Sequence, residues 1–168
     1  MDDDHDELEA SGAVLTGLAI AMYSYVLLTH VLAATIWTGG HLVLATAVLP
    51  RALALRDPAV LLTFEGGYER IGMPALLVQV ATGLWLVHRI RPDFAHWLSP
   101  ADSISWLIAL KLGLLVATVL TALDARLRII PRLSAKTLPA MARRVVLVTF
   151  FSVVFVIAGV SFRGGLLT

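Results

Sequence analysis

Hydrophobic positions fall in four long blocks, at about 17–49, 71–90, 104–123 and 145–162. Polar positions within them are too few to form a hydrophilic helix face, which argues against a soluble bundle. A bilayer core of roughly 30 Å needs about 20 helical residues. Each block therefore predicts one transmembrane helix, and the first is long enough to project beyond the bilayer. The expected fold is all-α, an integral membrane bundle of four transmembrane helices. Residues 17–168 form one domain behind an acidic N-terminal tail at 1–16, MDDDHDELEASGAVLT. That start has no basic region and does not read as a signal or transit peptide.

Prolines and glycines set the expected breaks. Pro50 and Pro131 follow apolar runs, where proline stops or kinks a helix. Pro74 is expected in the first turn of the second membrane helix, where it is tolerated. The stretch 51–70 mixes charges with apolar residues and predicts a short interfacial helix broken at Gly66–Gly67. No internal repeat stands out.

Composition agrees with a membrane setting. The chain is 58% hydrophobic and 15% charged, with a mean hydropathy of +0.85; soluble domains are about 45–50% apolar and about 25% charged. The net charge of +1 gives no reason to expect nucleic-acid binding. With no cysteine, disulfides, thiolate ligands and iron–sulfur clusters are excluded.

The cations set an expected orientation. Arg51, Arg56 and Arg70 in the first connection and Arg126, Arg128, Arg132, Lys136, Arg143 and Arg144 in the third make nine on one side. Arg89, Arg91 and Arg163 make three on the other. The positive-inside rule puts the nine in the cytoplasm and both termini outside. This predicts a multi-pass protein of a bacterial inner (plasma) membrane, with the lipid bilayer as its first partner.

Candidate chemistry lies on the apolar helices. His30, Trp37 and His41 are spaced by seven and four residues, which places them on one helix face. Gly39 and Gly40 flank that stripe and allow close approach of a neighbour or a flat cofactor. At about 1.5 Å per residue, His41 is expected about 15 Å inside the cytoplasmic surface and His30 about 31 Å. His88, at about 27 Å on the second helix, matches His30 in depth and is its expected partner. Lys111 is expected about 10 Å inside the outer end of the third helix. Polar residues inside a bilayer are costly and usually face the interior with a role. Several inward histidines suit heme iron, with the protein supplying axial ligands and a dry pocket. Structural roles compete at each position: interfacial anchoring for His30 and His88, an inter-helix hydrogen bond for His41, snorkelling for Lys111.

Other residues read more plainly. Trp85, Trp97 and Trp106 fit an outer aromatic belt, whereas Trp37 is the candidate for packing on a macrocycle. Phe150, Phe151, Phe155 and Phe162 face lipid or the bundle. Asp124 is expected to pair with Arg126 and Arg128, with a proton relay as the other reading. His5 and His96 read as exposed, and His96 could join an outer metal site with His88 or His30.

The runs LLTHVLAATIWTGGHLVLATAVLPRAL, YERIGMPALLVQVATGLWL and SWLIALKLGLLV resemble the CopD family of bacterial membrane proteins and the related HemJ-type protoporphyrinogen IX oxidases. The resemblance covers roughly residues 23–133. It is carried by His30 with Trp37 and Gly39, by Pro50–Arg51, by Arg70 with Pro74 and Ala75, and by Lys111–Leu112–Gly113. It implies that His30 and Lys111 are a functional pair binding heme b, with Lys111 in a catalytic role. His41 stands where the HemJ type usually has an apolar or aromatic residue. The further histidine that type carries after Pro-Arg is missing, which brings the CopD label forward.

Three functions are expected from these residues. The first is a heme-b-binding protein of electron transfer or membrane redox chemistry, an oxidoreductase or a cytochrome b-type subunit. His30, His41 and His88 are then candidate metal ligands and Trp37 and Lys111 further cofactor contacts; its partners are a redox protein or quinone. The spacing puts His30 and His41 about 16 Å apart, too far to share one iron. The second is copper uptake or resistance through an outer site of His30 and His88, with Met22 nearby. Imidazole suits copper, and so do thioethers, but there are only four Met. The third is a structural subunit of a membrane complex or a homo-oligomer.

Overall fold

A computed structural model of the chain describes residues 2–98 and 102–164, with the side chains of residues 2–10, His96 and Arg163 outside the description. Every element among the described residues is helical: α1 (Asp2–Val43), α2 (Leu49–Leu55), α3 (Pro58–Ile90), α4 (Ser103–Asp124) and α5 (Leu138–Gly164), joined by short π and 3-10 turns. Four helical stretches are long and apolar enough to cross a membrane. Large apolar side chains such as Leu18, Leu77, Val116 and Phe150 remain exposed along them, as lipid contact requires. The chain is an integral, multi-pass membrane protein, and the four expected spans are present. Helix α1 begins at Asp2 and so includes the acidic segment.

Pro50 and Pro131 mark breaks in the α-helical pattern, each preceded by a π turn. Pro50 does not stop the first helix. A π turn at Leu44–Val48 precedes it, and the Leu49 N–H reaches back five residues to the Leu44 carbonyl. A proline lacks an N–H, and its ring crowds the carbonyl four residues back. The wider turn absorbs both defects, so the chain continues into α2. The same device recurs before Pro131. A π turn at Ala125–Ile129 sends the Ile130 N–H to the Ala125 carbonyl, and the chain leaves the helix at Leu133.

The stretch 51–70 is not an interfacial helix broken at Gly66–Gly67. α2 ends at Arg56, which adopts the left-handed conformation with φ 52°. Asp57 then caps α3, accepting from the Ala59 N–H at 2.9 Å, with Pro58 in the first turn. From there α3 runs unbroken for 33 residues through both glycines and Pro74. Pro74 is therefore an interior proline, the kind that membrane helices tolerate when neighbours satisfy the freed backbone.

α1 packs against α3 and α5, and α4 packs against α5. The backbones of α3 and α4 hardly approach one another, yet ion pairs tie them at both ends. Arg91 meets Asp102 at 2.7 Å and Arg126 meets Glu69 at 2.8 Å. Arg144 forks onto Asp124 at 2.9 and 2.7 Å and joins α5 to α4. Asp124 thus takes Arg144 as its close partner, with Arg128 at 3.5 Å, and Arg126 goes to Glu69 instead. The main apolar core, including Leu49, Leu61, Leu138 and Met141, sits beside the π turns at this basic end.

Candidate functional site

Two polar centres lie on the inner face of α1. At the first, His30 Nδ1 is 2.9 Å from Thr82 Oγ1 on α3. The Thr82 hydroxyl donates to the Val78 carbonyl at 2.6 Å, so it accepts from the imidazole. In that arrangement the ring proton sits on Nδ1 and His30 Nε2 keeps its lone pair. A Cβ on Gly83 would stand 3.1 Å from the His30 ring, so the ring approaches α3 this closely only because that residue is glycine. Lys111 on α4 lies within Coulombic range of the ring. Its Nζ is held over the Phe162 ring at 5.3 Å and 3.5 Å from where a Cβ on Gly159 would be. Four helices converge here.

At the second centre, His41 is 9% exposed. Its Nδ1 stands 3.0 Å from the Trp37 carbonyl. A carbonyl only accepts, so Nδ1 carries the proton and Nε2 is again the free lone pair. The Tyr68 hydroxyl donates to the same carbonyl at 2.9 Å and to Ile36 at 3.2 Å. Tyr68 lies between Gly40 and Gly72, and a Cβ on either would collide with its ring. The Trp37 and His41 rings are 4.3 Å apart, and Tyr68 meets His41 edge-on at 5.6 Å. Behind them the Thr149 hydroxyl of α5 shares its proton between the Val145 carbonyl at 2.8 Å and the His41 carbonyl at 3.1 Å.

Metal-binding imidazoles usually donate their second ring N–H to a carbonyl, carboxylate or water, which fixes tautomer and ring orientation. His30 and His41 are both arranged in this way. Each can offer one neutral nitrogen, at levels about 16 Å apart.

The sequence model of the family described as Copper resistance protein D matches residues 62–162. The chain belongs to the CopD family. Comparisons with curated proteins and with solved structures found no match. The protein is thus a membrane protein of a copper-resistance-related family, and an inner-membrane one. The CopD match begins within α3, so it covers Lys111, Thr82 and Tyr68 but not His30, Trp37 or His41.

Other expected members of the site are placed apart. His88 is exposed and stacks on Phe94 at 5.5 Å. It shares neither the expected depth of His30, lying about 8 Å further along α3 than the residues that meet that ring, nor its face. The α3 residues that meet His30 are Thr82 and Gly83, six and five residues before His88, and those offsets turn it roughly 120–140° away. The His96 and His5 side chains fall outside the described residues. Met22 is 51% exposed. Among the described residues no group of three or more His, Cys, Asp or Glu is placed to hold a metal ion. Trp37 packs on His41, which occupies the ring face expected for a macrocycle. Trp97 is buried rather than part of the belt, with its Nε1 donating to the Arg91 carbonyl at 2.8 Å.

Thr82, Gly83, Gly159, Tyr68 and Thr149 were not singled out by the sequence. Their signal is weak, a small or hydroxyl residue in an apolar run. Tyr68, in GGYER, and Thr149, before Phe150, stood beside residues already marked.

Proposed function

We propose that this CopD-family protein moves copper through the membrane, with His30 and His41 as successive imidazole stations. The supporting observation is that both rings commit Nδ1–H to a fixed acceptor and keep Nε2 free, on one face of one helix. Neutral imidazole nitrogen suits copper. One nitrogen per station makes a weak site. Passage needs weak, repeated sites that an ion can leave, whereas storage would need a closed ligand cluster. Lys111 beside His30 opposes a standing cation there, which again favours transit. Copper is cargo in this reading and not a resident cofactor.

A second reading rests on the same lysine. An ammonium near a free imidazole nitrogen, in a corner opened by Gly83 and Gly159, suits a flat cofactor with anionic groups. Heme b on His30, with Lys111 meeting its anionic groups, would supply electron transfer or membrane oxidoreductase chemistry. Only one axial imidazole is in place for it, since His88 and His41 stand elsewhere.

One preparation separates the two. Protein purified from cells replete in copper and heme is analysed for both metals and by optical spectrum, then reconstituted in liposomes for copper uptake. Copper uptake that largely disappears in His30→Ala and in His41→Ala is the expected result. An iron-loaded protein with a heme b absorption band, and copper uptake equal in wild type and both variants, overturns the copper reading in favour of heme.

A further inference from the structure

The two imidazole stations are separated by about 16 Å of membrane interior, a long step for an ion without contacts on the way. The interval is not apolar. Among the described residues, three buried side-chain oxygens have no hydrogen-bond partner: Gln79 Oε1 and Thr118 Oγ1 within the interval, and Glu65 Oε2 beyond His41.

Their levels follow from the Arg91–Asp102 ion pair, which fixes a common height on α3 and α4. At about 1.5 Å per residue, Thr82 and Lys111 both lie about 13 Å below it, and the bond between Thr82 and His30 sets His30 at the same level. Gln79 lies at about 18 Å, Thr118 at about 24 Å, His41 at about 30 Å and Glu65 at about 39 Å. The same ruler puts Glu69 and Arg126 at about 33 and 36 Å, consistent with their own ion pair. Gln79 and Thr118 thus divide the interval between the histidines into three steps of similar size.

The faces agree with the levels. Gln79 precedes Thr82 and Gly83 by three and four residues, so it shares the α3 face that meets His30. Thr118 follows Lys111 by two helical turns and shares its face on α4. It is only 3% exposed.

The hydroxyl of Thr118 is free for a reason visible elsewhere in the fold. Thr29, Thr46, Thr82, Thr121 and Thr149 each donate to the carbonyl four residues back. Thr118 makes no such bond. In a membrane interior an unsatisfied oxygen is costly, so a buried oxygen held without a partner calls for a ligand.

We infer that Gln79 Oε1 and Thr118 Oγ1 are intermediate contacts for a cation crossing between His30 and His41, solvating it directly or through its water shell, with the Glu65 carboxylate drawing it on towards the basic end. This rests on the copper reading above. Neutral oxygens bind copper more weakly than imidazole does, so they lower the barrier between stations without trapping the ion.

The test uses the whole protein in liposomes, with Gln79→Leu and Thr118→Val as oxygen-deleting variants of similar size and Thr118→Ser as a variant that keeps the hydroxyl. Copper binding to the purified protein stays within about twofold of wild type, because the histidines are intact. Copper transit falls about tenfold or more in the Leu and Val variants and is kept in Thr118→Ser. Unfolding temperatures no lower than wild type confirm folding, since an apolar isostere relieves an unpartnered buried oxygen. Normal transit in both oxygen-deleting variants overturns the track and leaves the histidine stations standing. A wild type that neither binds nor carries copper overturns the stations and the track together.

Discussion

The histidine centre at the basic end depends on a glycine more than on any charged residue. Tyr68 reaches the Trp37 carbonyl by passing between Gly40 and Gly72. A Cβ at Gly40 would overlap the ring, and the ring cannot swing aside without giving up its bonds to Ile36 and Trp37. Gly40→Ala is expected to destabilise the protein by roughly 1–3 kcal/mol, the usual cost of overpacking. Thermal unfolding in detergent measures it. Tyr68→Ala should remove the penalty of adding the methyl group, and a penalty that persists in that background would refute the wedge. At this scale the sequence was half legible. His30, Trp37 and His41 could be read as one stripe because residues on one helix obey a fixed angle. Their partners Thr82, Tyr68 and Thr149 lie far along the chain, and no local pattern connects a threonine in ATGLWL to an imidazole fifty residues earlier.

Among elements, α3 and α4 are tied at the end away from the π turns by Arg91 and Asp102. Asp102 caps α4 by accepting from the Ile104 and Ser105 N–H groups at 3.0 and 2.9 Å. Its other oxygen takes the Ser105 hydroxyl at 3.1 Å and Arg91 at 2.7 Å. The Ser105 backbone N–H, with the Ser105 hydroxyl and Arg91 adding, holds the carboxyl below its ordinary value of 3.8. A carboxyl whose folded pKa is depressed stabilises the fold above its unfolded pKa, and that contribution disappears as pH falls through the folded value. Wild type should therefore unfold at a higher temperature than Asp102→Asn at neutral pH. The gap should narrow below pH 3.8, and unfolding curves recorded between pH 7 and pH 2 measure it. A constant gap would mean that the carboxylate charge contributes nothing. The breaks between elements were the least legible feature. Gly66–Gly67 and Pro74 are helix breakers in water, but a chain flanked by lipid and neighbouring helices has no solvent to bond a broken backbone. At Pro50 a related device acts, since one π turn relieves the proline's clash and lets the chain go on as helix.

For the whole molecule, four spans were legible because bilayer thickness imposes a length that composition alone reveals. The packing of those spans was not, because apolar faces look alike whether they meet lipid or another helix. α3 and α4 follow one another in sequence yet are held by ion pairs at their ends more than by contact between them. The direction of any passage depends on which end is cytoplasmic, and here the cations argue for the end carrying the two π turns. The absence of cysteine makes the question directly testable. Ala95 and Ala135 are exposed at opposite ends of the bundle, so a single cysteine at either position is the sole target for a membrane-impermeant maleimide. Ala95→Cys is expected to label in intact cells, or in spheroplasts if an outer envelope blocks the reagent, and Ala135→Cys only after the membrane is opened. The reverse pattern would put His41 and Glu65 on the entry side and invert the proposed path for copper, with Glu65 then gathering the cation and the corner formed by His30 and Lys111 releasing it.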